Sequence, residues 1–403
     1  MENTSAIVFL PREGPEPSVM LEPILFDPAA LWLCESLKRS GVERFLVVCH
    51  HKDRERAAAC FPADTLLLTE GAGLDDELRA FLEPGGRAVV VTQPVFLTDQ
   101  GVERIAKGKA ELDEKELAGY EAQGRDVSDH SVYELTGAAQ EAFRAGQGFA
   151  EVLQTHACAY RGHMAVAVDR ENLPSYLPRL AQTQSVLRLM DGGVRFIDRQ
   201  SAYIGPRVTV DRGTLLLPNV ILRGDTHVAK NCELGPNAML RDVTVGEGTT
   251  VNASQCFECT IGAFTTVGPF AYLRPGTDVG DHVRVGDFVE LKNAAIGDET
   301  KISHLAYLGD CDIGESSDIG CGTVTVNFDG ARKFRTRIGD RAFIGCNTNL
   351  VAPVSVGDGA YVAAGSTITR DVPSDSLAIA RSQQTVKHNW AKKRKARQDK
   401  EKK

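Results

Sequence analysis

Four short stretches hold the side chains best suited to chemistry. HLAYLGD places His304 and Tyr307 three residues apart. An imidazole titrates near pH ~6.5 in water, so it can take a proton from an amine close to neutral pH. YLRPG and VELKN place Arg274 and Lys292 eighteen residues apart, and VNFDGARKFRTR gathers Asn327, Asp329, Gly330, Lys333 and three arginines. Paired cations of this kind form a phosphate clamp. Cys256 and Cys259 make a lone CxxC; no second pair follows at zinc-site spacing, so both are expected to be residues of a wall.

The elements that must carry these groups show themselves as a six-residue beat. Ile261, Val267, Leu273, Val279, Val285 and Leu291 keep one phase, which resets by one at Ile296 and again at Ile313 and resumes from Ile338 to Ile368. An earlier stretch, Ile204 to Leu234, has the same period. Hexapeptide repeats read as a parallel β-helix in which each unit forms one flat side of a triangular coil. The aliphatic residue should point inward, with the following Gly permitting the corner. Coils eighteen residues long would stack Arg274 over Lys292, and His304 would lie about two sides further on. Between Ile319 and Ile338 the beat fails, and a polar loop leaving a solenoid corner is where a binding site is expected.

The first 170 or so residues read differently. Aliphatic runs at Ala6 to Leu10, Phe45 to Cys49, Thr65 to Leu68 and Ala88 to Thr92 alternate with helical stretches at Pro28 to Arg39 and Asp75 to Leu82. That alternation predicts an α/β domain with buried parallel strands. The expected organisation is an α/β domain over residues 1–172, a linker helix over 173–193, the β-helix over 194–372, and a C-terminal segment with a basic tail over 373–403. With 403 residues, 25% charged and 42% hydrophobic, the composition is that of a soluble protein. No apolar run approaches the ~18 residues of a membrane span, and the amino terminus lacks a basic n-region, so a cytoplasmic location is expected. The ten scattered cysteines fit reduced thiols. Net charge is −8, yet from Lys387 to Lys403 nine basic residues face two acidic ones. The tail is expected to be solubilising and not nucleic-acid binding, because the body is acidic.

From about Ile197 to Lys393 the chain resembles the acetyltransferase half of the bacterial bifunctional UDP-N-acetylglucosamine pyrophosphorylase/glucosamine-1-phosphate N-acetyltransferase family. GPFAYLRPG, VGDFVELKNA, HLAYLGD, IGCGTVTVNFDGARKF, LVAPVSVGDGAYVAAGSTITRDV and LAIARSQQTVKHNW carry the likeness. The resemblance implies a homotrimer of left-handed β-helices with sites between subunits, acting on glucosamine 1-phosphate with acetyl-CoA and no metal at that step. By matching position His304 is the general base. Arg274, Lys292, Tyr307, Asp318 and Asn327 contact the sugar phosphate, and Cys321, Phe328, Lys333, Cys346, Ala364 and Arg381 contact the coenzyme. Three positions depart from the pattern: Asp318 stands for Asn, Phe328 for Tyr and Cys346 for Ser.

The first domain resembles the pyrophosphorylase half only faintly. The family's LAAGxGTRM loop, whose amides and Arg hold phosphates, corresponds here to FLPREGPEPSVMLEP, with Arg12 out of register. Gln93 stands where the family has a Mg²⁺-binding Asp, and TEGAGLD, Thr69 to Asp75, is the remnant of a uracil-reading motif. The expectation is a degenerate, Rossmann-like nucleotidyltransferase domain that has lost its Mg²⁺ site and uridylyl transfer. Three other readings stay open: a bifunctional enzyme that also makes UDP-N-acetylglucosamine, an inactive regulatory or scaffold paralogue, and an acetyltransferase acting on another amino sugar.

Overall fold

A computed structural model describes residues 4–82, 86–111, 131–160 and 162–401. They group into two compact units, Met1–Gly248 and Thr249–Lys403.

In the first unit the expected strands appear as Thr4–Leu10, Val42–Cys49, Leu66–Leu68 and Arg87–Val91, all parallel and ordered third, second, first, fourth across the sheet. This is the doubly wound order, with its switch point between Thr4–Leu10 and Arg87–Val91. Successive side chains enter opposite faces: Ala6, Val8 and Leu10 join one core with Leu33 and Leu37 of the helix Ala29–Arg39, while Ile7 joins another with Leu78 and Phe143. Two further strands, Val132–Leu135 and Cys158–Ala159, add antiparallel, so the sheet is mixed. Their alternation is too short to have been read in the sequence. The helix Leu177–Asp191 buries Leu177 and Ala181 in the α/β core, and Gln182 Nε2 donates to the Ala202 carbonyl at 3.0 Å. It is therefore a packed element of this unit, as are the coils that begin at Arg195–Phe196 and pair as Tyr203 with Ile221 and Leu215 with Glu233.

The second unit is a stack of coils with three parallel ladders. One runs through Thr266–Val267, Arg284–Asp287, Lys301–His304, Asp318–Ile319, Phe343–Ile344, Tyr361–Val362 and Leu377–Ala378. A second carries Tyr272–Leu273, Glu290–Ile296, Tyr307–Ile313, Val324–Val326 and Asn349–Val351. The third carries Thr277–Val279, Thr336–Ile338 and Val354–Val356, joined to the second where the seven-residue strands Glu290–Ile296 and Tyr307–Ile313 bend round a corner. The parallel ladders and hexapeptide period are those of a left-handed β-helix. The beat residues all point inward, from Ile261 and Leu273 at 0% exposed to Ile368 at 4%. Burying each stabilises the coil by about 1.5–3 kcal/mol. The phase resets also have their counterpart, since Glu290 pairs with Tyr307 and Lys301 with Asp318, making those coils seventeen residues long.

The role expected of the glycines is different. Most corners are turned in the left-handed region by side-chain-bearing residues, among them Phe270, Phe288, Asn293, Leu305 and Asp310. Gly262 and Gly286 have no positive φ. A Cβ on Gly286 would lie 1.8 Å from the Ser303 carbonyl oxygen, and one on Gly262 2.4 Å from the Gly280 carbonyl carbon. These glycines let one coil approach the next. Coil structure also runs past residue 372, because Leu377–Ala378 pairs with Tyr361–Val362.

Candidate active site

Two groups of side chains in the second unit could act on a ligand, one on each of two neighbouring ladders. The first is a column. Lys301 and Ile302 lie over Asp318 and Ile319, so His304, two residues on, lies over Cys321, and the Gly322 amide donates to the Leu305 carbonyl at 2.7 Å. Asp318 and Ile319 in turn lie over Phe343 and Ile344, and these over Tyr361 and Val362, which places Cys321 over Cys346 and Cys346 over Ala364. Above His304 in the same ladder stands Asp287. A carboxylate, an imidazole, two thiols and a methyl group thus occupy one corner on successive coils.

His304 Nδ1 lies 2.5 Å from Asp287 Oδ1. In the neutral ring a proton on Nδ1 donates to this carboxylate and Nε2 carries the lone pair, the arrangement of a general base held by a carboxylate. The hydrogen bond to His304 holds the Asp287 carboxyl below its ordinary range. His304 is half-exposed, so a ligand can reach it. Asp287 escaped the sequence reading because it sits seventeen residues before His304, not eighteen; the phase reset at Ile296 is the signal that would have found it.

The second group surrounds Asp310, a left-handed corner residue that is 9% exposed. Its carboxylate accepts from Asn293 Nδ2 at 2.7 Å and from Asn327 Nδ2, and Lys292 Nζ lies 3.8 Å away. Burial pushes the Asp310 carboxyl up, but the two amides and Lys292 outweigh it and hold the group below its ordinary value. Lys333 reaches Lys292, and that neighbouring ammonium pushes Lys333 down from the usual lysine range. Two ammonium groups sharing one carboxylate leave positive charge unbalanced, which suits a dianion such as a phosphate monoester. Tyr307 belongs to the same cluster: a Cβ on Gly309 would meet its hydroxyl at 2.5 Å and Asn327 Nδ2 at 2.9 Å.

The polar loop leaves the coil at Asn327, closes on itself with the Phe334 amide donating to the Asn327 carbonyl at 2.8 Å, and returns at Thr336. Asp329 shapes its tip by accepting from the Ala331 and Arg332 amides. Of its arginines, Arg335 is an anchor: its Nε donates to Asp312 at 2.7 Å, and other nitrogens reach the Asn293 and Cys311 carbonyls. Arg274 does stack over Lys292, as its spacing predicts, since Tyr272 pairs with Glu290 and the Arg274 amide donates to the Leu291 carbonyl. Its guanidinium is engaged by Glu290 at 2.8 Å, however, so it clamps a phosphate only by exchanging that partner. Phe328 is exposed at the loop, Asp318 is exposed one coil below Lys301, and Arg381 passes beside Gly365, where a Cβ would meet its Cδ at 3.6 Å. No group of three His, Cys, Asp or Glu side chains among the described residues is arranged to hold a metal ion, and none of the described helices is long and apolar enough to cross a membrane.

The bacterial transferase hexapeptide family (six repeats) matches residues 335–370. A bifunctional protein GlmU of Clostridium acetobutylicum is 50% identical over 205 residues, 51% of this chain and 45% of that protein. The one of Brevibacillus brevis is 52% identical over 204 residues, 51% and 44% of the two chains. That of Clostridium novyi is 43% identical over 250 residues, 60% and 55%. Among solved structures, LpxA from Acinetobacter baumannii is 14% identical and covers 48% of this chain and 77% of its own, with a TM-score of 0.27. The chain spans about half the length of the curated relatives it matches. Over that half, the chain is similar in sequence to the bifunctional GlmU proteins, and residues 335–370 carry the hexapeptide repeat of the bacterial transferases.

Proposed function

We propose that the coil transfers an acetyl group from acetyl-CoA to the amine of glucosamine 1-phosphate. The observation that carries this reading is the Asp287–His304 pair, which leaves Nε2 of a half-exposed imidazole able to take a proton. The amine nitrogen attacks the thioester carbonyl carbon as its proton passes to Nε2. The carbon–sulfur bond then breaks, and the imidazolium, stabilised by Asp287, returns the proton to the departing thiolate. Lys292, Lys333 and Tyr307 hold the sugar phosphate, and Asn327 braces Asp310 between the lysines. Cys321, Cys346, Ala364 and Arg381 line the path of the coenzyme.

The column and the lysine cluster lie on different ladders, which supports a homotrimer in which one copy supplies the base and another the phosphate contacts. Sedimentation at micromolar concentration should give three times the chain mass; a monomer with full activity would overturn that arrangement.

The α/β domain is proposed to have lost nucleotidyl transfer. Arg12, the only guanidinium of the loop after the first strand, is committed to Asp53, 1% exposed, through Nε at 2.7 Å. Gln93, an amide, is a poor ligand for Mg²⁺ beside the carboxylate it replaces. Pyrophosphate release from UTP and N-acetylglucosamine 1-phosphate should stay at background, and turnover there would favour the bifunctional reading instead.

The central test follows free thiol from acetyl-CoA and glucosamine 1-phosphate. His304→Ala should lower the rate by about 10²–10⁴-fold. No thiol release by the wild type would overturn the activity; an unimpaired His304→Ala protein would overturn the mechanism.

A further inference from the structure

The corner column places two cysteines where nothing in acetyl transfer needs a thiol. Cys321 and Cys346 occupy the same position on successive coils, each following a glycine in an Ile-Gly-Cys run. The Gly320 amide donates to the Ile344 carbonyl at 2.8 Å and the Asn347 amide to the Cys321 carbonyl at 2.7 Å, so the backbones on either side of the pair are hydrogen-bonded in register. Strands paired this way sit ~4.8 Å apart. That falls within the ~4.4–6.8 Å between Cα atoms that a disulfide spans, and the two Cβ atoms need approach by about one ångström to reach the usual ~3.8 Å.

Accessibility sets Cys346 apart from the other thiols. Of the ten free cysteines, Cys34, Cys49, Cys60, Cys232, Cys256, Cys259 and Cys311 are buried, Cys158 and Cys321 are half-buried, and Cys346 is exposed. Burial pushes the Cys34 and Cys311 thiols up to about 12 and Cys60 up to about 11, which keeps them protonated and inert. Cys256 and Cys259, the CxxC pair, touch each other, but in a wall that solvent does not reach. Cys346 alone combines exposure with a second thiol in register beneath His304.

We infer that Cys321 and Cys346 are a site of reversible thiol–disulfide exchange with low-molecular-weight disulfides, Cys346 being the attacking thiol and Cys321 the resolving one. The Cys346 thiolate attacks one sulfur of the disulfide RS–SR; that S–S bond breaks, RS⁻ leaves and takes up a proton, and a mixed disulfide remains on Cys346. The Cys321 thiolate then attacks the Cys346 sulfur and expels the second RS⁻, which is protonated in turn. Two protein thiols lose two electrons, and RS–SR is reduced to two RSH. The new bond draws two coils together directly below the base, at the corner proposed for the coenzyme. That consequence rests on the acetyl-transfer reading; the chemistry of the pair does not. In the proposed reaction coenzyme A is itself released as a thiol here, so its own disulfide belongs to the class of oxidant the site would meet.

The full-length protein, folded and reduced, is incubated with oxidised glutathione and its intact mass measured before peptide mapping. Wild type is expected to lose two hydrogens, about 2 Da, with a peptide joining Cys321 to Cys346 and no glutathione retained. Cys321→Ala should hold one glutathione on Cys346, because nothing resolves it, and Cys346→Ser should stay unmodified at Cys321 over the same interval. A wild type that stays reduced, that keeps glutathione on Cys346, or that links another pair such as Cys256–Cys259 overturns the inference. Acetyl-CoA turnover by the oxidised protein, before and after dithiothreitol, is read separately. Full turnover with the disulfide in place would overturn closure of the coenzyme corner, whereas no turnover even in the reduced protein would overturn the acetyl-transfer reading and leave the thiol pair standing.

Discussion

In the proposed mechanism, the chemistry at His304 depends on a neighbour one coil above. With the Asp287 carboxylate at Nδ1 the imidazole would present Nε2 to the acceptor; an amide at the same place could hydrogen-bond but could not neutralise the imidazolium that the proposed proton transfer forms. Asp287→Asn should therefore lower kcat by about 10²-fold while leaving KM for acetyl-CoA nearly unchanged. Unchanged kcat would remove Asp287 from the mechanism. The phosphate cluster makes a different prediction. Lys333→Ala removes one of two ammonium groups over Asp310 and should raise KM for the sugar phosphate about tenfold, the value of roughly one charge-assisted hydrogen bond. Gly309→Ala acts through displacement: the added methyl meets the ends of the Tyr307 and Asn327 side chains, which can move, so KM should rise several-fold with little loss of thermal stability. His304, Tyr307, Lys292 and Lys333 could be picked out by type and spacing. Asp287 and Asp310 could not, because each acts through a partner a full coil away, and coil length must be known to the residue before such partners can be paired.

Among the elements, the strand Lys301–His304 is positioned by what lies above it. Gly286 is where Arg284–Asp287 passes closest, and a methyl there would meet the Ser303 carbonyl oxygen, part of a backbone that cannot swing aside. Gly286→Ala should cost about 1–3 kcal/mol by overpacking and lower the acetyl-transfer rate as well, since the displaced residue precedes the base. Urea unfolding together with thiol release tests both effects; loss of stability with full activity would show that the strand relaxes without moving His304. The inward aliphatic residues were legible because a buried column repeats its chemistry on every side of the coil. The antiparallel strands Val132–Leu135 and Cys158–Ala159 were not, because they are short and owe their pairing to contacts far along the chain. The loop arginines misled in a similar way: charge at a loop suggests a ligand, but Arg335 is consumed in holding the loop to Asp312.

On the scale of the whole molecule, the two units answer to different perturbations. In the first, Asp53 holds Arg12 and accepts from the Ser18 amide at 3.2 Å, and the bond to Arg12 keeps its carboxyl below the ordinary range despite burial. A carboxyl lowered in the folded state adds stability that is complete above the unfolded value near ~3.9 and disappears as pH falls through the folded value. Asp53→Asn should destabilise the folded chain at pH 7, because it removes the charged partner of Arg12, and the gap to wild type should close as the pH drops below about 4. Urea unfolding across that range checks the sign; a gap that widened in acid would refute it. Acetyl transfer should be unchanged by the same substitution, since every proposed catalytic group lies in the second unit.

The excursion at Asn327 has a bearing on descent. Val324 pairs with Asn349 on one side of it and Thr336 with Val354 on the other, so the ladders continue as though the extra residues were not there. Residues 327–335 can lengthen, shorten or change character without shifting any inward aliphatic residue out of phase. Selection can thus rewrite the loop while the stack beneath it is inherited intact.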